Sequence, residues 1–289
     1  MPEIELLRAK SVDDAVALLA RHDGSRCIAG GQTMVAMLNA GLVDASALIA
    51  ISGIDELATL TRTSDGATRI GAGVSHRVVA SSDKFIGANN VVRQAAQVIA
   101  HPAIRNFGTI GGALAHADPA SDYPTAVIAA NAKIEVAGRS GRRSIAAQDF
   151  FLDYLTTALK PGEMITAVEL PAAASGSAGH YLKFSRVDGD YAIVSVGVAI
   201  TVAAGRCSAA RVVLGGCGPT PVFDPDADRD LVGGTCEPAQ IRAAAQRLAG
   251  RADPIDDVRG SAGYRRALIP KLVERAVRTA WLQASGASR

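Results

Sequence analysis

Two glycine-rich segments hold the residues whose types and spacing could do chemistry. The first is Ala29-Gly30-Gly31-Gln32-Thr33, which follows a short apolar run and precedes a helical pattern. The second is Gly108-Thr109-Ile110-Gly111-Gly112-Ala113, followed by Asp118-Pro119-Ala120-Ser121-Asp122. A glycine pair lets backbone approach a ligand closely because no Cβ intervenes. Successive N–H groups at a turn or helix start form a concave donor site that suits a phosphate. Two such loops from separate parts of the chain could close over a diphosphate from both sides, meeting its charges with backbone donors and few lysines. Neither segment fits G-x-G-x-x-G or G-x-x-x-x-G-K-[ST], so neither of those phosphate motifs is indicated. A Gly-Gly pair also serves as a plain turn. Taken alone, the loops do not name a ligand.

The elements that must position them can be read from periodicity and punctuation. Ile4-Glu5-Leu6-Leu7 reads as a strand, and Ser11-Val12-Asp13-Asp14 as a helix start, with a hydroxyl at the cap and a carboxylate three residues on. Cys27-Ile28-Ala29 is a short strand running into Gly30, a helix covers about 33–40, and Leu48-Ile49-Ala50-Ile51 is a buried strand. A strand at about 69–74 and a helix at about 91–100 follow. The polar, Gly- and Pro-containing stretch 101–124 reads as one long functional loop. Strands are expected at 133–137 and 165–170, and the Ala/Ser/Gly run 172–179 as a linker. Strands at about 181–187, 192–203 and 209–215 and helices at about 238–249 and 264–283 complete the pattern. Mixed strands and helices without a strict βαβ repeat indicate an α+β fold.

At 289 residues the chain has room for two domains. Its 30 basic and 28 acidic side chains leave a net charge of +2, which gives no electrostatic reason to expect nucleic acid. The start, Met1-Pro2-Glu3-Ile4-Glu5, is acidic where a secretory leader would be basic, and no apolar run is long enough for a membrane span. A cytoplasmic location is therefore expected. The four cysteines are scattered with no C-x-x-C pair, which argues against a cluster or zinc site on this chain. No Ser/His/Asp or Cys/His pairing suggests a catalytic residue.

The segment His101-Pro102-Ala103-Ile104-Arg105-Asn106-Phe107-Gly108-Thr109-Ile110-Gly111-Gly112, continuing through Leu114-Ala115-His116-Ala117 to Asp122, resembles the second flavin loop of the medium subunits of carbon monoxide dehydrogenase and its relatives. Ala29-Gly30-Gly31-Gln32-Thr33 is similar to their first flavin loop, and Asp257-Val258-Arg259-Gly260-Ser261-Ala262-Gly263-Tyr264-Arg265-Arg266 resembles their C-terminal signature. The likeness spans nearly the whole chain in the right order. It implies a FAD-binding fold of the vanillyl-alcohol oxidase (PCMH) type over 1–175, in subdomains of about 1–56 and 57–175. A small α/β C-terminal domain over 178–289 would follow.

The resemblance also implies roles. The backbone of Ala29, Gly30, Gly31, Gln32 and Thr33 and of Gly108, Thr109, Ile110, Gly111 and Gly112 would cradle the pyrophosphate of noncovalent FAD. Ser121 and Asp122 would sit near its ribose, ribityl or ring polar atoms. Ile99, Met164 and Ile165 match apolar positions lining the cofactor, and Lys183 matches a lysine near the flavin ring. The plain alternative for Lys183 is a solvent-facing strand position. On this reading a β-branched residue at Gly111 or Gly112 strips the flavin and leaves the fold largely intact. Ala113 stands where many relatives have Asn or Ser, and Phe107 where many have Arg; neither change removes backbone donors.

The expected partners are a large subunit with the molybdopterin cofactor and a small subunit with two [2Fe-2S] clusters, in a dimer of heterotrimers. The FAD subunit would take electrons from those clusters and pass them to an external acceptor. Carbon monoxide, an N-heterocycle such as nicotine or a purine, and an aldehyde all remain open as the substrate of the complex. Two other readings are a free-standing flavin oxidase of the same fold and a flavin-free assembly protein.

Overall fold

The structure is a computed structural model that describes residues 4–286, so the first three residues of the acidic start lie outside the described residues. The chain begins with β1 (Glu5–Arg8), α1 (Val12–Arg21), β2 (Arg26–Ile28), α2 (Met34–Asn39) and β3 (Ala47–Ala50). The strands form a parallel sheet in the order β1-β3-β2, with helices in the crossovers as parallel pairing requires. Ser11 caps α1 by accepting from Asp14 N at 3.0 Å, and the Asp14 carboxylate accepts from Lys10 N at 2.9 Å. Val12, Ala15 and Val16 form the buried face of that helix.

The next unit comprises β4 (Leu60–Arg62), β5 (Thr68–Gly71), α3 (His76–Ser81), α4 (Asn90–Val98), α5 (Pro102–Phe107), α6 (Ile110–His116) and α7 (Asp122–Ala129). It continues with β6 (Lys133–Gly138), β7 (Gly141–Ala146), the small hairpin β8 (Phe151–Asp153) and β9 (Thr156–Thr157), and β10 (Met164–Leu170). Five of these strands form an antiparallel sheet ordered β4-β5-β10-β6-β7.

Stretch 101–124, expected as a loop, instead holds α5, α6 and the start of α7. Pro102 opens α5 at a position where its missing N–H costs nothing, and Thr109 Oγ1 caps α6 by accepting from Gly112 N at 3.1 Å. The glycine pair lies inside the first turn of α6. There the absence of a side chain lets the helix pack against the chain after β5: a Cβ on Gly111 would stand 2.7 Å from Ala72 O.

The last unit is a four-stranded antiparallel sheet of β11 (Ser177–Phe184), β12 (Val194–Ala203), β13 (Arg206–Gly215) and β14 (Val222–Phe223), with α8 (Pro225–Leu231), α9 (Pro238–Arg251) and α10 (Ala262–Ser285). The expected linker is shorter than 172–179, because β11 begins at Ser177. Its small residues serve close packing: a Cβ on Gly179 would fall 2.0 Å from Ala88 O, and Ser177 Oγ accepts from Ala88 N at 3.1 Å. β12 is buried on both faces, with Val194, Val196, Val198 and Ile200 toward the C-terminal helices and Gly197 against α7. That explains why its sequence lacks a polar alternation.

Two buried apolar clusters result. One gathers residues from Ala9 to Leu170 with Tyr181 and Val213, and the other runs from Ile193 to Ala280. The helix–strand mixture matches the expected α+β class.

Candidate functional site

A cavity of about 760 Å³ lies where the three units meet. It is lined by the β2–α2 loop, the turn after α4, the start of α6, the Ser121-Asp122 pair, the β9–β10 region, and Lys183 with 189–191 from the last unit.

The β2–α2 loop presents backbone donors to this cleft. Gly31 has φ +70°, a left-handed conformation that glycine adopts without strain. The carbonyls of Gly31 and Thr33 accept from Val35 N and Met37 N, each at 3.0 Å, and Gln32 Nε2 donates to Gly30 O at 3.2 Å. The N–H groups of Gly30, Gly31, Gln32 and Thr33 have no acceptor among the described residues. A curved run of four free amides is a nest for an anion.

The second loop touches the first. A Cβ on Gly30 would stand 1.8 Å from Phe107 O and 3.0 Å from Gly108 N. Beyond this contact Thr109 pairs with Ser75 in an isolated antiparallel bridge, with His76 N donating to Gly108 O at 2.9 Å and Ile110 N to Val74 O at 3.1 Å. Gly111 N donates to Ala72 O at 2.9 Å. Ile110 is fully buried and does not line the cleft. The amides of Ile110 and Gly111 are therefore committed to the fold, and the cradle expected over this whole segment narrows. Gly108, Thr109, Gly111 and Gly112 all line the cleft here, but the Gly108 and Gly112 amides are taken too, by Ile104 O at 2.8 Å and Thr109 Oγ1 at 3.1 Å, which leaves the Thr109 hydroxyl proton free to donate.

A second cluster occupies the side contributed by the last unit. Asp122 accepts from Tyr181 Oη at 2.8 Å and from Lys183 Nζ at 3.0 Å, and Lys183 Nζ also donates to Val98 O at 2.9 Å. The Asp122 and Lys183 side chains are only 6% and 5% exposed, so Lys183 is not the solvent-facing residue of the plain alternative. Burial pushes the Asp122 carboxyl above the usual carboxylate range, against the opposing pull of the Lys183 ammonium and the Tyr181 hydroxyl. Ile99, Met164 and Ile165 add apolar wall, and Ser121 lies beside Asp122. Tyr191 also lines the cleft, its ring 5.1 Å from the Arg259 guanidinium carbon.

Residues 2–173 match the family model of the FAD binding domain in molybdopterin dehydrogenase, and residues 179–280 match that of the CO dehydrogenase flavoprotein C-terminal domain. The chain belongs to the FAD-binding medium-subunit family of the molybdenum hydroxylases. It is 36% identical to the 6-hydroxypseudooxynicotine dehydrogenase complex subunit alpha of Paenarthrobacter nicotinovorans, over 95% of this chain and 93% of that one. It is 34% identical to the nicotine 6-hydroxylase medium subunit of the same organism, over 96% and 97%. The structure of reconstituted CO dehydrogenase from Oligotropha carboxidovorans superposes with a TM-score of 0.93 at 30% identity, covering 97% of this chain and 98% of that one. The fold is thus that of a medium-subunit flavoprotein, and the chain is an oxidoreductase subunit with a FAD-binding domain.

The residues present fit FAD. Free amides beside a close backbone approach suit its diphosphate, and the cavity lies within the roughly 300–1,000 Å³ usual for small-molecule and cofactor sites. Of the residues expected at the flavin, all but Ile110 line this one cleft. Sequence reasoning missed Tyr191 and His76. Tyr191 follows Gly189-Asp190, a short polar turn with no motif to mark it. His76 is buried near the second loop, and burial together with the Arg105 charge lowers its pKa from 6.5 to about 4, so it is neutral at pH 7.

Proposed function

We propose that this chain is the electron-transferring FAD subunit of a multi-subunit molybdenum hydroxylase. It would take electrons from iron–sulfur clusters on a small partner and pass them through FAD to an external acceptor, while a large partner carries the molybdopterin cofactor. The observation that carries this reading is the contact of Gly30 with Phe107 beside a run of unpaired amides, which gives a dinucleotide's diphosphate a place to sit. FAD, once bound, supplies the redox chemistry, accepting and releasing electrons. The amides of Gly30, Gly31, Gln32 and Thr33 would hold the diphosphate, with the Thr109 and Ser121 hydroxyls at hand for its oxygens or the sugar. Ile99, Met164 and Ile165 would form apolar walls, and the Asp122–Lys183 pair would present fixed polar atoms to the ring or ribityl region.

The names of the relatives, "medium subunit" and "complex subunit alpha", support companion subunits and, by extension, a dimer of heterotrimers. Two apolar clusters, one drawn from residues up to Leu170 with only Tyr181 and Val213 added and the other from Ile193 onward, support dividing the chain at about 175–178. No described helix is long and apolar enough to cross a membrane, which is compatible with work in the cytoplasm.

Titration of the purified chain with FAD tests this reading. Saturable binding of about one FAD per chain is expected from a single cleft of this size, and absence of saturable binding overturns the assignment. Oxidation of a substrate by the chain alone would instead favour a free-standing oxidase.

A further inference from the structure

The turn that ends α4 carries three successive carbonyls, and each is held by a cation. Val98 O accepts from Lys183 Nζ at 2.9 Å. Ile99 O and Ala100 O both accept from one nitrogen, Arg105 Nη1, at 2.8 and 2.7 Å. Carbonyls at a helix C-terminus lack intrahelical donors and sit at the negative end of the dipole, so charged donors are their strongest partners. The turn is also conformationally costly. Ala100 has φ 43°, a left-handed conformation disfavoured for any residue with a Cβ, and such backbone persists only where its surroundings over-determine it. Arg105 supplies two of those restraints. Ile99 and Ala100 line the cleft, whereas Arg105 does not.

We propose that Arg105 is a positioning residue that holds the strained Ile99-Ala100 turn as a wall of the flavin cleft. It acts on the bound cofactor through the backbone without touching it. The proposal rests on the cleft being the FAD site. Arginine suits the task because its planar group fixes the directions of the two N–H bonds, one to each carbonyl, where a lysine ammonium would rotate and stay more strongly hydrated.

The test compares the full-length wild-type chain with Arg105→Met, Arg105→Lys and the double variant Arg105→Met/Ala100→Gly. FAD affinity and the visible circular dichroism of bound flavin are measured well below each unfolding midpoint. Arg105→Met should bind FAD roughly tenfold more weakly and change the flavin dichroism, with Arg105→Lys falling between it and wild type. Glycine enters the left-handed region without strain, so the double variant should regain roughly threefold in affinity, with the dichroism moving back toward wild type. A merely structural role predicts shifts in the unfolding midpoint alone, down in Arg105→Met and back up in the double variant, with FAD affinity and flavin dichroism below that midpoint unchanged throughout. Wild-type binding with Arg105→Met unchanged, or a double variant no better than the single one, overturns this proposal alone. No FAD binding by wild type overturns the cofactor reading and this proposal with it. If Arg105→Met does not fold, Arg105→Lys against Arg105→Lys/Ala100→Gly gives the same comparison.

Discussion

Gly30 and Phe107 meet backbone to backbone, so closely that a Cβ on Gly30 would stand 1.8 Å from the Phe107 carbonyl oxygen. The obstacle is main chain and cannot rotate aside, so any side chain at position 30 must push the two loops apart. Gly30→Ala should lower stability by about 1–3 kcal/mol, as overpacking of a close contact does. It should also weaken FAD binding at least roughly tenfold, because the amides of the first loop move with the displaced backbone. Thermal unfolding and FAD titration check both outcomes, and wild-type affinity in this variant would mean that the loop contact does not shape the site.

Gly111 and Gly112 should behave differently, contrary to the sequence expectation that both simply guard the flavin path. A Cβ on Gly111 would meet Ala72 Cβ, O and Cα at 2.5, 2.7 and 2.9 Å, all within the protein. Gly111→Ala should therefore destabilise the fold by about 1–3 kcal/mol. A Cβ on Gly112 would meet only Thr109 Oγ1, at 3.1 Å, and would stand in the cleft. Gly112→Ala should hold stability to within about 1 kcal/mol, since alanine favours the helix, while FAD affinity falls. Equal unfolding midpoints for the two variants would contradict this division.

The Asp122–Lys183 pair offers a test of burial. Lys183→Met would leave the Asp122 carboxyl with Tyr181 as its remaining partner in a buried setting. Removing one member of a buried pair costs about 3–5 kcal/mol, because the other charge is left uncompensated. Asp122→Asn combined with Lys183→Met should cost clearly less than the two single changes added together. A double-mutant cycle in chemical denaturation measures the coupling, and additive effects would show that the pair contributes little.

Some of this site was legible in the sequence. The first loop was, because an apolar strand, a glycine pair and a helix follow one another directly between Arg26 and Asn39. The second loop was recognised by family pattern, but its helices were not: α5 and α6 have six and seven residues, too few for a 3.6-residue period to emerge. The burial of Lys183 was equally hidden. Its partner Asp122 lies 61 residues away, and no local pattern reports such a contact. The Ala/Ser/Gly run read as a linker because composition cannot distinguish flexibility from close packing, and Gly179 against Ala88 is the latter. Arg105 sits within the recognised motif, yet its bonds to Ile99 O and Ala100 O only become visible in three dimensions.

His76 should make stability depend on pH in a window that can be isolated. Its ring is packed near Gly108 and lies 5.3 Å from the Tyr123 ring, and Nδ1 has no hydrogen-bond partner among the described residues. Burial, with a smaller push from Arg105, depresses its pKa from 6.5 to about 4. Between those values the unfolded chain binds a proton that the folded chain refuses, so stability present above pH 6.5 is lost as the pH falls toward 4. At about 1.4 kcal/mol per pH unit the ceiling is about 3 kcal/mol. Asp228, raised to about 6 mainly by burial, and Asp122, raised for the same reason, titrate with the opposite sign, since the folded state takes up their protons first. The wild-type curve therefore mixes both slopes, whereas the difference between wild type and His76→Gln cancels the carboxylates. That difference should be largest at neutral pH and shrink by about 2 kcal/mol by about pH 5. A gap that stays constant with pH would mean that the imidazole is not held neutral by burial.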